Sequence, residues 1–471
     1  MGSTTKGTLT SITSQALQFP QEIIDLFIDY LYQELETKEA GEALVACSLV
    51  SRSFSAPARR RLWSTLVISE AGVSSLRVRS HRFGTNESEL ESALYLRLLS
   101  LRLLLERQSD FRLFIRRVRI EVGRVIHGDP EFTGLRSVVD GLRSRATNMD
   151  TLWITRMPNA KPMPWPVNKP SIIQPIITPS IIQPIITLLS SVKFRCLRIE
   201  GVRDFPSDIL TRCPSIRSLQ LVSTTFKQKN SPPSRTSSYP SSQTLQLDEL
   251  LVQYCLEGAY HEISQSNISL TRLKTFQASI LSWQEGPIVQ KLIKKAKFSL
   301  VSLELTILER AHTSWVPSTF AGGPIDLGWF PNLLNLRLHV EREDVRYLPS
   351  LGNTFRLLNP ITYPTRLESI EITISHWHKP VLSEVFHLYQ IDDAAWALFN
   401  PSILRNKHPH LRRLFIKLDL GLGSPSHIFN SEKRDVEQSL HKLLQSVVFP
   451  STSTYVANSP LSPLDLDVVV L

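Results

Sequence analysis

Apolar residues recur along this chain in two different periods. Between residues 17 and 68 the period is helical. Ile23, Ile24, Phe27, Ile28 and Leu31 fall at i, i+1, i+4, i+5 and i+8, one wide apolar stripe on a helix. Pro20 stands at the helix start, where a missing N–H is tolerated, and Glu22 lies in the first turn, where the helix dipole favours an acid. A polar stretch from Gln33 to Glu42, containing Gly41, predicts a connection. Leu44, Cys47, Val50 and Phe54 predict a second helix, and Pro57 is expected to open a third short one through Leu62 and Trp63. Leu66, Val67 and Ile68 then read as a strand.

A second zone, 69–145, has helical patterns in which Leu94, Leu98, Leu101 and Leu105 share a face. It ends with Ile115, Val118 and Ile120, which alternate like a strand. From 146 to 471 the period changes to a short motif, apolar-x-x-apolar-x-apolar. It reads Met149, Leu152, Ile154, then Phe194, Leu197, Ile199, then Ile216, Leu219, Leu221. It returns around Leu250, Leu303, Leu336, Ile370 and Leu414, with a weaker copy around Leu273 and Phe276. Counted from Val118 through Leu273 to Leu414, the central positions are 34, 45, 22, 31, 23, 30, 33, 34 and 44 residues apart. Several copies follow a proline with a polar residue, as in Cys213-Pro214-Ser215, Phe330-Pro331-Asn332 and His408-Pro409-His410.

One such motif means nothing, but a semi-regular series predicts stacked units, each a strand with a helical or irregular return, that share one core. The expected fold class is therefore α/β, three N-terminal helices followed by an irregular repeat solenoid. Two stretches break the register. Pro170–Thr178 is repeated residue for residue as Pro179–Thr187, and its prolines predict an extended loop over about 158–187. Ser223–Thr244, rich in Ser, Thr and Pro, is expected to be a disordered loop. The final Leu464–Leu471 alternates and then turns wholly apolar, as a last strand or an uncapped end would.

Composition narrows the chemistry. The 471 residues include only 18 glycines, and no phosphate-cradling or nucleophile-elbow motif is present. The net charge is +10, and +8 of it lies between Arg52 and Arg145, where 18 arginines meet 10 acids and no lysine. Arginine interleaved with acids suits salt-bridged helix surfaces and acidic protein partners, and few aromatics accompany it, so nucleic-acid binding is not expected. Cys47, Cys196, Cys213 and Cys255 lie too far apart for a zinc site and are expected to be small buried hydrophobes. His261-Glu262 lacks a second histidine at Gln265, and His376/His378 and His408/His410 are expected to be surface or turn residues. The expectation is a non-enzyme with no cofactor and no metal. The polar N-terminus and the lack of a long apolar run predict no membrane span and a cytoplasmic or nuclear location.

The first zone also carries an ordered set of motifs. Phe19-Pro20-x-Glu22-Ile23-Ile24 with Ile28 and Leu31 comes first, then Leu44-x-x-Cys47-Ser48-Leu49-Val50-Ser51-Arg52-Ser53-Phe54, then Pro57-Ala58-Arg59-x-x-Leu62-Trp63. This series resembles the F-box, in the form found in the expanded F-box families of basidiomycete fungi. The resemblance covers 17–68, with Phe19 in place of the usual Leu and a long Leu31–Leu44 spacing that reads as an insertion between helices 1 and 2. It implies an adaptor-binding domain in which Phe19, Pro20, Ile23, Ile24, Ile28, Leu31, Leu49, Val50, Phe54, Leu62 and Trp63 lie in or just behind the interface with a Skp-type adaptor and, through it, a cullin; the alternative is that Ile24, Phe27, Ile28 and Phe54 only form the local core. Residues 69–145 would then be a helical linker or first solenoid unit, and 146–471 a leucine-rich-repeat-like region that selects a target protein. The function so implied is a substrate receptor of a cullin–RING ubiquitin ligase. The alternative is a repeat scaffold that binds proteins without promoting ubiquitination.

Overall fold

The short apolar motif becomes a strand wherever the chain is described. The computed structural model describes residues 20–33, 38–69, 101, 103, 105–107, 113–122, 133–143, 148–156, 179–206, 208–211, 213–227, 244–282, 285–309, 327–342, 365–376, 408–419, 438 and 465–470. Among them the strands are β1 (Thr65–Ser69), β2 (Arg117–Val122), β3 (Thr151–Arg156), β4 (Cys196–Glu200), β5 (Ser218–Val222), β6 (Leu245–Gln246) and β7 (Glu249–Gln253). They continue as β8 (Ile268–Ser269), β9 (Thr275–Ile280), β10 (Ser302–Glu309), β11 (Asn335–Arg342), β12 (Ser369–His376), β13 (Arg413–Asp419) and β14 (Asp465–Val470). The α-helices are α1 (Gln21–Gln33), α2 (Lys38–Val50), α3 (Arg52–Leu62), α4 (Thr133–Arg143), α5 (Pro179–Ser191), α6 (Asp208–Thr211), α7 (Leu256–Gln265) and α8 (Gly286–Lys294).

Twelve strands form one sheet in chain order, from β1 to β14 with β6 and β8 left out to pair with each other. Every neighbouring pair is parallel. The register aligns the central motif positions into one row, Val118–Leu152–Leu197–Leu219–Leu250–Phe276–Leu303–Leu336–Ile370–Leu414. All of them are buried in a single core. The weak copy is corrected here: its central residue is Phe276, and Leu273 is the copy's first position, so the uneven steps 23 and 30 become 26 and 27. Leu66 and Leu466 extend the row at its two ends. The last stretch is therefore a strand of this sheet.

The turn before β5, β9, β11 and β13 explains the odd spacing of the motif. The amides of Ile216, Leu273, Leu333 and Leu411 donate to the carbonyls of Cys213, Leu270, Phe330 and His408, three residues earlier. That is a β-turn, and Pro214, Pro331 and Pro409 sit at its second position, where a fixed φ is already correct. The turn tucks its first residue and the first motif position under the sheet, so a three-residue step precedes the two-residue alternation. Helices α4, α5, α7 and α8 close the core from one side through Val138, Leu142, Leu188, Ile263, Leu292 and their neighbours.

Four local expectations fail. Pro179–Thr187 is the start of α5 rather than an extended loop. Pro179 takes the first helical position, and burial of Pro184, Ile185, Leu188 and Leu189 offsets the one bond Pro184 cannot make. The first copy, 170–178, lies outside the described residues, as do 158–169 and Leu94 and Leu98. Ser223–Lys227 is ordered: Thr224 is buried and donates to the carbonyl of Ile199 at 3.0 Å, and Phe226 packs edge-on against Phe205. Residues 228–243 are outside the described set. Pro57 does not open α3 but lies inside it, and the polar residues from Lys38 onward are the first turn of α2 rather than connection. The turn reading of His408 holds: it takes the turn position that Cys213, Leu270 and Phe330 fill elsewhere, fully buried, with its Nδ1 2.6 Å from the Thr365 hydroxyl.

Candidate functional site

The three N-terminal helices have a core of their own, separate from that of the sheet. Ile24, Ile28, Leu44 and Ala58 are buried, and Leu31, Cys47, Phe54 and Leu62 pack against them. Ala58 has no side chain beyond Cβ, which lets α3 lie close against its neighbours. Pro57 has no N–H to give the carbonyl of Ser53, and the Gln21 side chain of α1 donates to that carbonyl instead, at 3.3 Å. Arg61 and Asp29 tie α3 to α1 through an ion pair at 2.6 Å. Burial pushes the Cys47 thiol up from its ordinary value, so it behaves as an apolar side chain.

Helix α1 is apolar on two faces. Ile24, Ile28 and Leu31 point inward, while Ile23, Leu26, Phe27 and Tyr30, at i, i+3, i+4 and i+7, stay open. Leu26 is 66% exposed and Ile23 51%. On α2 the pattern repeats: Leu44 is buried, but Leu49 and Val50 are 77% and 70% exposed, and Val45 is open as well. Trp63, just past α3, is 41% exposed. Eight of the twelve exposed large hydrophobic residues among those described lie in this short segment, so the exposure is a property of the unit rather than of the surface at large.

The residues named from the resemblance therefore divide. Ile24 and Ile28 are interior, and Leu31, Phe54 and Leu62 pack beside them. Pro20, Ile23, Leu49, Val50 and Trp63 are exposed. Phe19 lies outside the described residues. Sequence reasoning missed Leu26 and Tyr30 because one stripe was sought where α1 carries two, and Val45 because only the Leu44, Cys47 and Val50 pattern of α2 was read. A second run at i, i+3, i+4 and i+7 was there to be found.

The open face of the sheet is the second candidate surface. Trp153 on β3 is flanked by Arg119 on β2 and Arg198 on β4, whose guanidinium carbons lie 4.1 and 4.6 Å from its ring. Each arginine is held by an acid two residues on, Glu121 and Glu200, both at 2.9 Å. Farther along the same row Gln277 donates to Glu304 at 2.6 Å, and Arg337 pairs with Glu371 at 3.0 Å. These charges neutralise one another, Arg119 and Arg198 within their own strands and Arg337 across to the next.

No protein-family model matches the chain, and no curated protein matches it. Its chemistry is thus read from its own residues. Among those described, no group of three His, Cys, Asp or Glu residues could hold a metal. His261 bonds Gln265 at 2.9 Å, the place where a metal pair would need a histidine. Burial raises the Cys196 thiol, and the Cys255 thiol to about 11, so neither is a ready nucleophile at neutral pH. No described helix is long and apolar enough to cross a membrane.

Proposed function

We propose that the chain is a substrate receptor of a Skp–cullin–F-box type ubiquitin ligase, with the three-helix unit as the F-box and the sheet region as an irregular leucine-rich-repeat solenoid. The observation that carries the reading is the second apolar face of α1 together with Leu49, Val50 and Trp63. Such a face is costly in water and is what an adaptor groove covers in helix-in-groove recognition. The aligned row of leucines supports the repeat reading, since each unit buries its face only against its neighbours. The receptor would contribute proximity, holding a target protein near the transferred ubiquitin, and no catalytic group.

The test is co-purification of the full chain with a Skp-type adaptor, comparing wild type with an Ile23→Asp, Leu49→Asp double variant. Both positions are exposed, so circular dichroism and melting should not change. Ile24 is a poor choice because its loss would unfold the unit. The variant is expected to lose at least ~30-fold in adaptor affinity, the scale of a lost hot spot. Absence of adaptor binding by the wild-type chain would sink the reading.

A further inference from the structure

The two ends of the sheet strands differ in charge. In the ten strands of the large sheet from β2 to β13, the first residue and the three before it hold ten bases and four acids. The last two residues of the same strands hold five acids and two bases. A continuous backbone ladder fixes where the basic end lies. Carbonyls of Arg116, Asp150, Arg195, Arg217, Asp248, Lys274, Val301, Leu334 and Glu368 each accept amides from the next strand, ending at Arg412. The entry residues of successive strands are thus neighbours along one edge.

Arg116, Arg195, Lys274, Lys297, Arg366 and Arg412 are all exposed along it, and among the described residues none of them makes an ion pair. By contrast, Arg119, Arg198 and Arg337 of the open face are paired with acids. Phe298, beside Lys297, is 72% exposed and offers an apolar contact on the same edge.

We infer that this edge binds an acidic polypeptide segment laid across the strands. The inference rests on the receptor reading and gives its target a chemical class. Nine strand steps separate Arg116 from Arg412, about 43 Å at ~4.8 Å per step, which an extended chain of about 13 residues spans. Two features choose polypeptide over nucleic acid. Asp150, Asp248 and Glu368 stand in the ladder itself and divide the bases into groups. A polyphosphate, charged at every step, would face those acids, whereas a polypeptide can place neutral or basic residues there. Among the described residues Phe298 is a single exposed ring on this edge, where single-stranded nucleic acid wants a succession of stacking rings.

The experiment is fluorescence anisotropy with the full chain and no adaptor. The probe is a labelled peptide of about 13 residues carrying Glu clusters separated by Gly and Ser. An oligothymidylate of equal charge is the comparator. The peptide is expected to bind, to weaken steeply between about 50 and 200 mM salt, and to lose about tenfold or more in an Arg195→Glu, Lys274→Glu, Arg412→Glu variant. Lys227→Glu, beyond the other end of β5, should leave binding unchanged, and circular dichroism should show every variant folded. Three results would overturn the inference: no peptide binding, tighter binding of the oligothymidylate, or an equal loss from Lys227→Glu. Because the adaptor is absent, none of them bears on whether the three-helix unit docks.

Discussion

The N-terminal helices and the sheet solve opposite problems with the same residue types. The sheet region buries its leucines in a continuous row and shows solvent a polar face whose charges pair with one another. The helical unit buries four residues and leaves twice as many large apolar ones open. A region that closes its own apolar surface needs no partner to be stable. One that leaves it open carries apolar surface its own fold does not cover, and three short helices alone are a marginal fold.

The sharpest way to break the contrast is Ile28→Asp, which puts an unpaired charge into the small core. A loss of about 4 kcal/mol or more is expected, beyond what so small a unit can spare. Proteolysis should then cut within 20–63 while the sheet resists; equal resistance of both regions in the variant would show that the unit is not independently marginal. Leu303→Ala tests the other side. It leaves a cavity between Phe276 and Leu336 and should cost about 2–5 kcal/mol in urea unfolding. If the row acts as one core, that loss should also lower the protection of amides in β9 and β11.

A pH effect separates the regions further. Cys255 turns its thiol inward, donating to the carbonyl of Leu221 at 3.6 Å, and burial raises its pKa from 9.0 to about 11. The unfolded chain ionises this thiol first, so its contribution to stability is intact below pH 9 and falls as the pH rises toward 11. The loss should reach roughly 2–3 kcal/mol. Urea midpoints at about pH 8 and pH 10.5 should converge less for wild type than for Cys255→Ala, which lacks the alkaline term. The smallest effect belongs to Arg61→Ala. Its pair with Asp29 is well exposed on both sides, so a change below ~1 kcal/mol is expected, shrinking further in high salt.

Much of the sheet was legible because its pattern is the physics of strand burial. The spacing that placed Leu152, Leu197 and Leu219 is the alternation that puts them on one face, and the prolines before Ile216, Leu333 and Leu411 mark real turns. Legibility ended where tertiary burial overrode a local rule. Prolines argued for a loop at Pro179–Thr187, yet its apolar residues were worth more against the core than the forgone bond. His408 read as a surface or turn residue; it is in the turn, and its burial was the part the sequence hid, since the turn assigns it the place of Phe330. In the helical unit the buried and open stripes of α1 read as one, because Ile23 and Phe27 stand directly beside Ile24 and Ile28.

The sequential order of the strands has a mechanical meaning. Each strand of the large sheet bonds only to the ones before and after it, so a pull on either end of the chain reaches the terminal strand alone. The sheet should open like a zip, one strand at a time and at low force, rather than shear as a block. With 22 residues from Leu197 to Leu219 and 44 from Ile370 to Leu414, successive steps should lengthen the chain by unequal amounts, about 75 to 150 Å at ~3.4 Å per residue. An unfolding motor that grips one end would meet a series of small barriers in place of a single large one.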